Sequence, residues 1–143
     1  MGWEGFDTFA GLPEPWKRAG VEVMDSGAFA PSDADDRFPN IESSCPIVWH
    51  EGLIGDTITA LERSRNEILL VLIDVDLLDP TRDILGWMLL HGAPGDIIYF
   101  DEAFDPFNEG LALSEATTAG LRFETLGYTD SGLAIRVLPS LES

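Results

Sequence analysis

Two uninterrupted apolar runs, each ending in a pair of carboxylates, constrain this chain more than any other feature. The first, Ile68-Leu69-Leu70-Val71-Leu72-Ile73, breaks into Asp74-Val75-Asp76, and the second, Ile97-Ile98-Tyr99-Phe100, ends in Asp101-Glu102. Between them, Pro80 to His91 carries Ile84, Leu85, Met88 and Leu89 on one helical stripe, and Pro94-Gly95 turns the chain. Strands buried on both faces read as continuous apolar runs. The stretch is therefore a parallel βαβ unit, with Asp79 as helix N-cap and Pro80 at the first helical position. Ligands of open α/β sheets bind at the carboxyl ends of the strands. Asp74, Asp76, Asp101 and Glu102 are thus expected to converge on one spot.

The flanking segments extend this unit. Met1 to Phe6 reads as a short strand running into a turn-rich loop, Asp7 to Pro13. Lys17 to Asn40 shows no sustained period and carries Gly20, Gly27, Pro31, Pro39 and an acidic patch, Asp33, Asp35 and Asp36. Residues 17–45 are read as a long loop or lid, with one helical turn after Pro31-Ser32. Pro46 to His50 is a strand, and Asp56 is placed to cap a helix reaching Arg65. Glu109 to Thr118 is helical and stopped by Gly120. Leu121 to Tyr128 and Leu133 to Leu138 alternate about Asp130-Ser131-Gly132, an antiparallel hairpin. Trp3, Trp49, Trp87 and Phe100 are read as core. Phe104 and Phe107 follow the second carboxylate pair and are candidates for lining a substrate pocket.

Length and charge bound the rest. The 143 residues suggest a single domain, 1–143, and 45% apolar residues suffice for a core. The net charge of -18, from 26 acidic against 8 basic residues, argues against nucleic acid and against an anionic membrane surface. It fits either an ordinary acidic domain or a protein of a salty cytoplasm. No run reaches the roughly 18 apolar residues of a membrane span. One cysteine, Cys45, permits no intramolecular disulfide and favours a reducing, cytoplasmic setting.

Several motifs together resemble one known family. Gly5-Phe6-Asp7-Thr8-Phe9-Ala10-Gly11-Leu12-Pro13 resembles the G-F-D-S/T-F-x-G-L-P segment of small class I S-adenosylmethionine-dependent methyltransferases related to the macrocin-type sugar O-methyltransferases. Gly52 to Ile58 resembles that family's G-W-F-x-D/E-T-L. Leu72-Ile73-Asp74-Val75-Asp76-Leu77 with Pro80-Thr81 resembles H-I-D-x-D-L-Y-x-S/T-T. Pro94-Gly95 and Ile97 to Glu102 resemble P-G-G-x-I-I/V-F/V-D-D/E-Y. Leu72 replaces the family's His, and Leu78 stands where Tyr is frequent. No G-x-G-x-x-G occurs, and the family's first strand and Gly-rich loop have no counterpart before Gly5.

The resemblance implies a Rossmann-like methyltransferase sheet of α/β class. That sheet is mostly parallel with a C-terminal antiparallel β-hairpin, and N-terminally truncated. It implies that Asp7, with Phe6 and Thr8, meets the ribose of S-adenosylmethionine. It implies that Asp74, Asp101 and Glu102 hold Mg²⁺ or a similar divalent cation beside a small hydroxylated substrate, a sugar or natural product. Asp74 thereby takes part in catalysis, and His50 is the candidate general base. Two other readings stay open. One is a non-catalytic Rossmann-like domain or fragment that self-associates or awaits a missing N-terminal partner segment. The other is a metal-dependent glycosyltransferase-type Asp-x-Asp site.

Overall fold

The computed structural model describes residues 2–32, 44–64 and 67–140. The turn after Ser32, the acidic patch Asp33, Asp35 and Asp36, and Arg65 lie outside the described residues. In chain order the elements are β1 (Trp3–Asp7), β2 (Trp16–Arg18), β3 (Val21–Met24), β4 (Ile47–Glu51), α1 (Ile54–Thr57), β5 (Leu70–Ile73), α2 (Leu78–His91), β6 (Ile97–Phe100), α3 (Glu109–Thr118), β7 (Phe123–Tyr128) and β8 (Leu133–Val137).

The expected βαβ unit is β5-α2-β6. Its strands pair in parallel, Leu70 opposite Ile97 and Ile73 opposite Phe100. β8 runs antiparallel to β6, and β7 antiparallel to β8, giving a four-strand sheet of order β5-β6-β8-β7. This sheet holds one parallel and two antiparallel pairings, so it is not itself mostly parallel. The other parallel pair, β1 with β4, forms a sheet of its own. Trp49 lies across from Gly5, where a Cβ would come within 2.2 Å of the indole ring, so only glycine fits.

The core lies between the four-strand sheet and the helices. Ile73, Ile98, Phe100 and Ile135 are fully buried, with Leu85 and Met88 of α2 and Ala112, Leu113 and Ala116 of α3 packed in the same cluster. Arg82 of α2 donates to both carboxylate oxygens of Glu115 on α3 at 2.7–2.8 Å. Of the stripe predicted on α2, Ile84, Leu85 and Met88 are buried but Leu89 is exposed, and the buried face takes in Thr81 and Trp87 instead. Of the aromatics read as core, Trp87 and Phe100 are buried, Trp49 is half-buried and Trp3 is exposed.

A buried ion pair closes the far end of this unit. Asp96, fully buried, accepts from Nη1 and Nη2 of Arg63 and from the backbone N–H groups of Leu69 (2.9 Å) and Ala93 (2.8 Å). Burial pushes the Asp96 carboxyl up, but Arg63 and the two amides outweigh it and hold it below its ordinary value.

Three local expectations are corrected. The long loop over 17–45 contains a hairpin in its first part: β2 and β3 pair antiparallel about Ala19 and Gly20, both at positive φ (51° and 79°). Paired positive φ is the twist that two-residue hairpins need. Strands of three and four residues are too short to display alternation. Asp56 does not cap α1; Leu53 holds the N-cap position without a side-chain bond, and the helix tightens into a 3₁₀ turn, Ile58–Ala60, short of Arg65. Asp79 does not cap α2 either. The helix begins at Leu78 after Leu77, which leaves Asp79 inside the first turn, 3.0 Å from Arg82.

Candidate functional site

The parallel register of β5 and β6 sets the two carboxylate pairs side by side. Asp74 directly follows Ile73 and Asp101 directly follows Phe100, which pair with each other, and the Asp101 N–H donates to the Ile73 carbonyl at 3.1 Å. Asp76 sits two residues on, at a φ of 58° that β-carbon-bearing residues rarely adopt. Its carboxyl is pushed up by burial and by the charges of Asp74, Glu102 and Asp101, with Arg18 opposing. The register thus brings both strand ends, with their acids, to one edge of the sheet.

Three further residues join it. Arg18, at the end of β2, forms an ion pair with Glu102 across 84 residues of sequence. The Tyr99 hydroxyl donates to Asp101 Oδ1 at 3.1 Å, a bond that raises the phenol's own pKa. Glu109, the first residue of α3, is fully buried. Its Oε2 accepts the Glu102 N–H at 2.9 Å, while Oε1 has no hydrogen-bond partner. Burial pushes its carboxyl up to about 7, against the backbone amides of Glu102 and Val75 and reinforced by Asp76 and Asp74. The loop after β6 packs so tightly on the start of α3 that a Cβ at Gly110 would come within 2.5 Å of the Ala103 carbonyl. Asn108 Nδ2 ties this loop to the hairpin, donating to the Lys17 carbonyl (2.7 Å) and to Asp105 (2.9 Å).

A cleft of about 390 Å³ opens beside the cluster. Phe6, Asp7, Thr8, Gly11, Leu12 and Pro13 line one wall; Asp74, Val75, Asp76 and Leu77 line another; Gly52 to Ile54, Phe29 and Pro80 complete it. Asp7 Oδ1 accepts the Phe9 N–H at 2.7 Å, and Thr8 Oγ1 donates to the Gly11 carbonyl at 2.8 Å. These bonds shape the loop as an Asx turn and place the Asp7 carboxylate at the cleft.

The remaining predicted residues stand apart from the cleft. His50, on β4, stacks on Phe6 with ring centres 4.4 Å apart, and its Nε2 lies 2.7 Å from Glu4 Oε2. Phe104 and Phe107 are about half exposed on the loop after β6, and neither lines the cleft. Asp101 and Glu102 belong to the carboxylate cluster but not to the cleft lining.

A ribose needs acceptors for two hydroxyls, and Asp7 supplies a carboxylate at the cleft. For a hard cation, the oxygen-only donors of the cluster are of the right kind, and Glu109 Oε1 is a buried acceptor without a donor. The carboxylates are not drawn together, however. Among the described residues no three His, Cys, Asp or Glu side chains are close enough to form a ligand set, and Glu102 holds Arg18 instead.

Sequence reasoning missed Glu109 and Arg18. An acid opening a helix is read as a partner of the helix dipole. The one signal was Gly110, whose presence in a helix's first turn marks a close backbone approach. Arg18 lay in a segment without periodicity.

No protein-family model matches the chain, and no curated protein does. Solved structures do. One is the calicheamicin methyltransferase CalS11, with a TM-score of 0.68 at 22% identity over 95% of this chain and 60% of that one. Another is the O-methyltransferase NovP, with a TM-score of 0.69 at 18% identity over 96% of this chain and 60% of that one. At such identities the likeness shows the fold: a mixed α/β chain built like these methyltransferases, spanning 60% of the length of each. No helix among the described residues is long and apolar enough to cross a membrane.

Proposed function

We propose that this chain is an S-adenosylmethionine-dependent O-methyltransferase domain acting on a small hydroxylated substrate, a sugar or natural product, with help from a divalent cation such as Mg²⁺. The observation that carries the reading is the cleft. It joins Asp7 and Thr8 on one wall to Asp74 and Asp76 on the other, in a chain folded like two O-methyltransferases. Asp7 takes the two ribose hydroxyls of the cofactor, with Phe6 and Thr8 forming its surroundings. Asp74, Asp101 and Glu102 are the cation's ligands, and Glu102 releases Arg18 to reach it. A bound cation would supply a lowered hydroxyl pKa and an oriented attacking oxygen. The chain's share is positioning, because methyl transfer gains most from holding donor and acceptor in line. His50 is occupied by Glu4 and Phe6, and the proposal gives it no proton to move. Phe104 and Phe107 receive no contact in it either.

Calorimetric titration with S-adenosylhomocysteine, with and without Mg²⁺, tests this. Micromolar binding that strengthens with Mg²⁺ supports both parts. Cofactor binding without any Mg²⁺ effect, unchanged by Asp101→Asn, removes the cation and leaves the cofactor. No binding at millimolar ligand favours the second reading, a non-catalytic domain that pairs with another copy. The exposed Leu70 and Leu72 on edge strand β5 support that alternative, since open strand edges seek partners.

A further inference from the structure

The two aromatic residues of the cleft lining, Phe6 and Phe29, are held in different ways. Phe6 is partly buried, stacked on His50 and packed against the core. Phe29 is 66% exposed. Its backbone has a φ of 65°, in the left-handed region that glycine and asparagine enter most readily. Folding alone gives no reason for this combination, because asparagine there would keep the turn and expose no ring. Backbone strain of this kind gathers where proteins clamp ligands. The Phe29 loop is also tied to the loop that carries Asp7. The Leu12 N–H donates to the Ala28 carbonyl at 2.9 Å, and the Gly27 N–H donates to the Leu12 carbonyl at 2.8 Å. Gly11, at a φ of 80°, packs so closely on this turn that a Cβ would come within 2.4 Å of the Ala28 carbonyl oxygen. At the start of the first loop the Phe9 N–H fixes Asp7 Oδ1. One double loop therefore brings to the cleft both a carboxylate for paired hydroxyls and an aromatic residue for a flat ring. Leu12, Pro13, Leu53 and Ile54 add apolar lining to the same cleft.

We propose that Phe29 is a specificity residue of the cleft: its ring stacks on the purine of the nucleoside whose ribose Asp7 holds. The inference rests on the cofactor reading above and adds the base to it. A purine is joined to its ribose by a single bond, so the group that takes the ribose restricts where the base can lie. Aromatic side chains hold bases through their π faces, with no hydrogen bond required. The double loop thus recognises a nucleoside as one unit, the carboxylate taking its hydroxyls and the ring its base.

Two probes, S-adenosylhomocysteine and adenosine, are titrated by calorimetry into the wild type, Phe29→Asn, Phe29→Trp and Asp7→Asn, and each variant's urea midpoint is measured. Asparagine suits the left-handed backbone, so the midpoint of Phe29→Asn is expected to stay at the wild-type value. Its affinity for both probes is expected to fall by about 5- to 100-fold, the range of a lost base–aromatic stack. Phe29→Trp keeps a ring face and is expected to bind both probes at least as tightly as the wild type. Wild-type affinity in Phe29→Asn overturns the stack. A loss for S-adenosylhomocysteine alone also overturns it, because it would set Phe29 against the homocysteine arm. An equal loss in Phe29→Trp, or a fall in the Phe29→Asn midpoint that accounts for its loss of affinity, gives Phe29 a structural role instead. A wild-type chain that binds neither probe at millimolar concentration sinks the cofactor reading and the stack with it. Binding that weakens in Asp7→Asn but not in Phe29→Asn keeps the cofactor and removes the stack alone.

Discussion

The two halves of the chain are built differently. Every buried residue among those described lies between Ile58 and Val137; none lies in 2–32 or 44–57. Yet the early half supplies most of the cleft lining: Phe6 to Thr8, Gly11 to Pro13, Phe29 and Gly52 to Ile54. One half holds the fold and the other lines most of the cleft. The carboxylates stand at the seam, on strands rooted in the dry core but ending where the early half begins. Such a division is economical: local stability can be low where a ligand must enter, provided that the groups meeting it are anchored elsewhere.

The sharpest way to break the comparison is to damage each half equally in sequence terms. Phe100→Ala removes a fully buried ring from the core and is expected to cost about 3–5 kcal/mol. Trp3→Ala removes a larger ring that is 46% exposed, and the expected cost is below about 1 kcal/mol. Urea denaturation of both variants decides the matter. Equal losses would mean that β1 and β4 belong to the same cooperative core as β6.

Next in size is the ion pair at the base of the core. Arg63→Leu leaves Asp96 as an uncompensated buried carboxylate, with an expected loss of about 3–5 kcal/mol at neutral pH, the usual penalty for breaking a buried pair from one side. The pH dependence has a definite sign. The folded pKa of Asp96 lies below its unfolded value, so its contribution is present above the unfolded carboxyl's pKa of about 3.9. It is lost as pH falls through the lower folded value. The stability gap between wild type and Arg63→Leu should therefore narrow below about pH 4. A gap that stays constant down to pH 2 would mean that Asp96 is not the group responsible.

What could be read in the sequence follows the same division. The core half is written in local patterns. Continuous apolar runs gave β5 and β6, a helical stripe gave α2, and alternation gave β7 and β8. The placing of Asp74 and Asp101 at neighbouring strand ends was legible because parallel pairing brings the carboxyl ends of both strands to one edge. The early half was less legible. Its strands β2 and β3 are three and four residues long, and its turn, Ala19-Gly20, lacks the Asn or Asp that usually signals a hairpin. Glu109 could not be placed, because its burial depends on α3 returning beneath the end of β6, and nothing local encodes that return. The separation of β1 and β4 from the four-strand sheet is likewise a tertiary fact.

The smallest expected effect falls at the seam itself. The Arg18 side chain is 49% exposed and that of Glu102 is 16% exposed, so screening leaves their ion pair worth no more than about 1 kcal/mol. Arg18→Ala should accordingly leave the urea midpoint nearly unchanged. Its effect on ligand binding should be larger than its effect on folding. In the proposed function Glu102 must release Arg18 before it reaches a cation, and Arg18 also offsets the repulsion among the carboxylates around Asp76. Removing it deletes a competitor and raises the local negative potential, and both changes favour a divalent ion. The expectation is a several-fold tighter Mn²⁺ Kd in calorimetry, an effect that shrinks as salt screens the cluster. Weaker Mn²⁺ binding would mean that Arg18 organises the carboxylates rather than competes for them. The hairpin would then be part of the anchored half, and the seam would have to be redrawn to include β2.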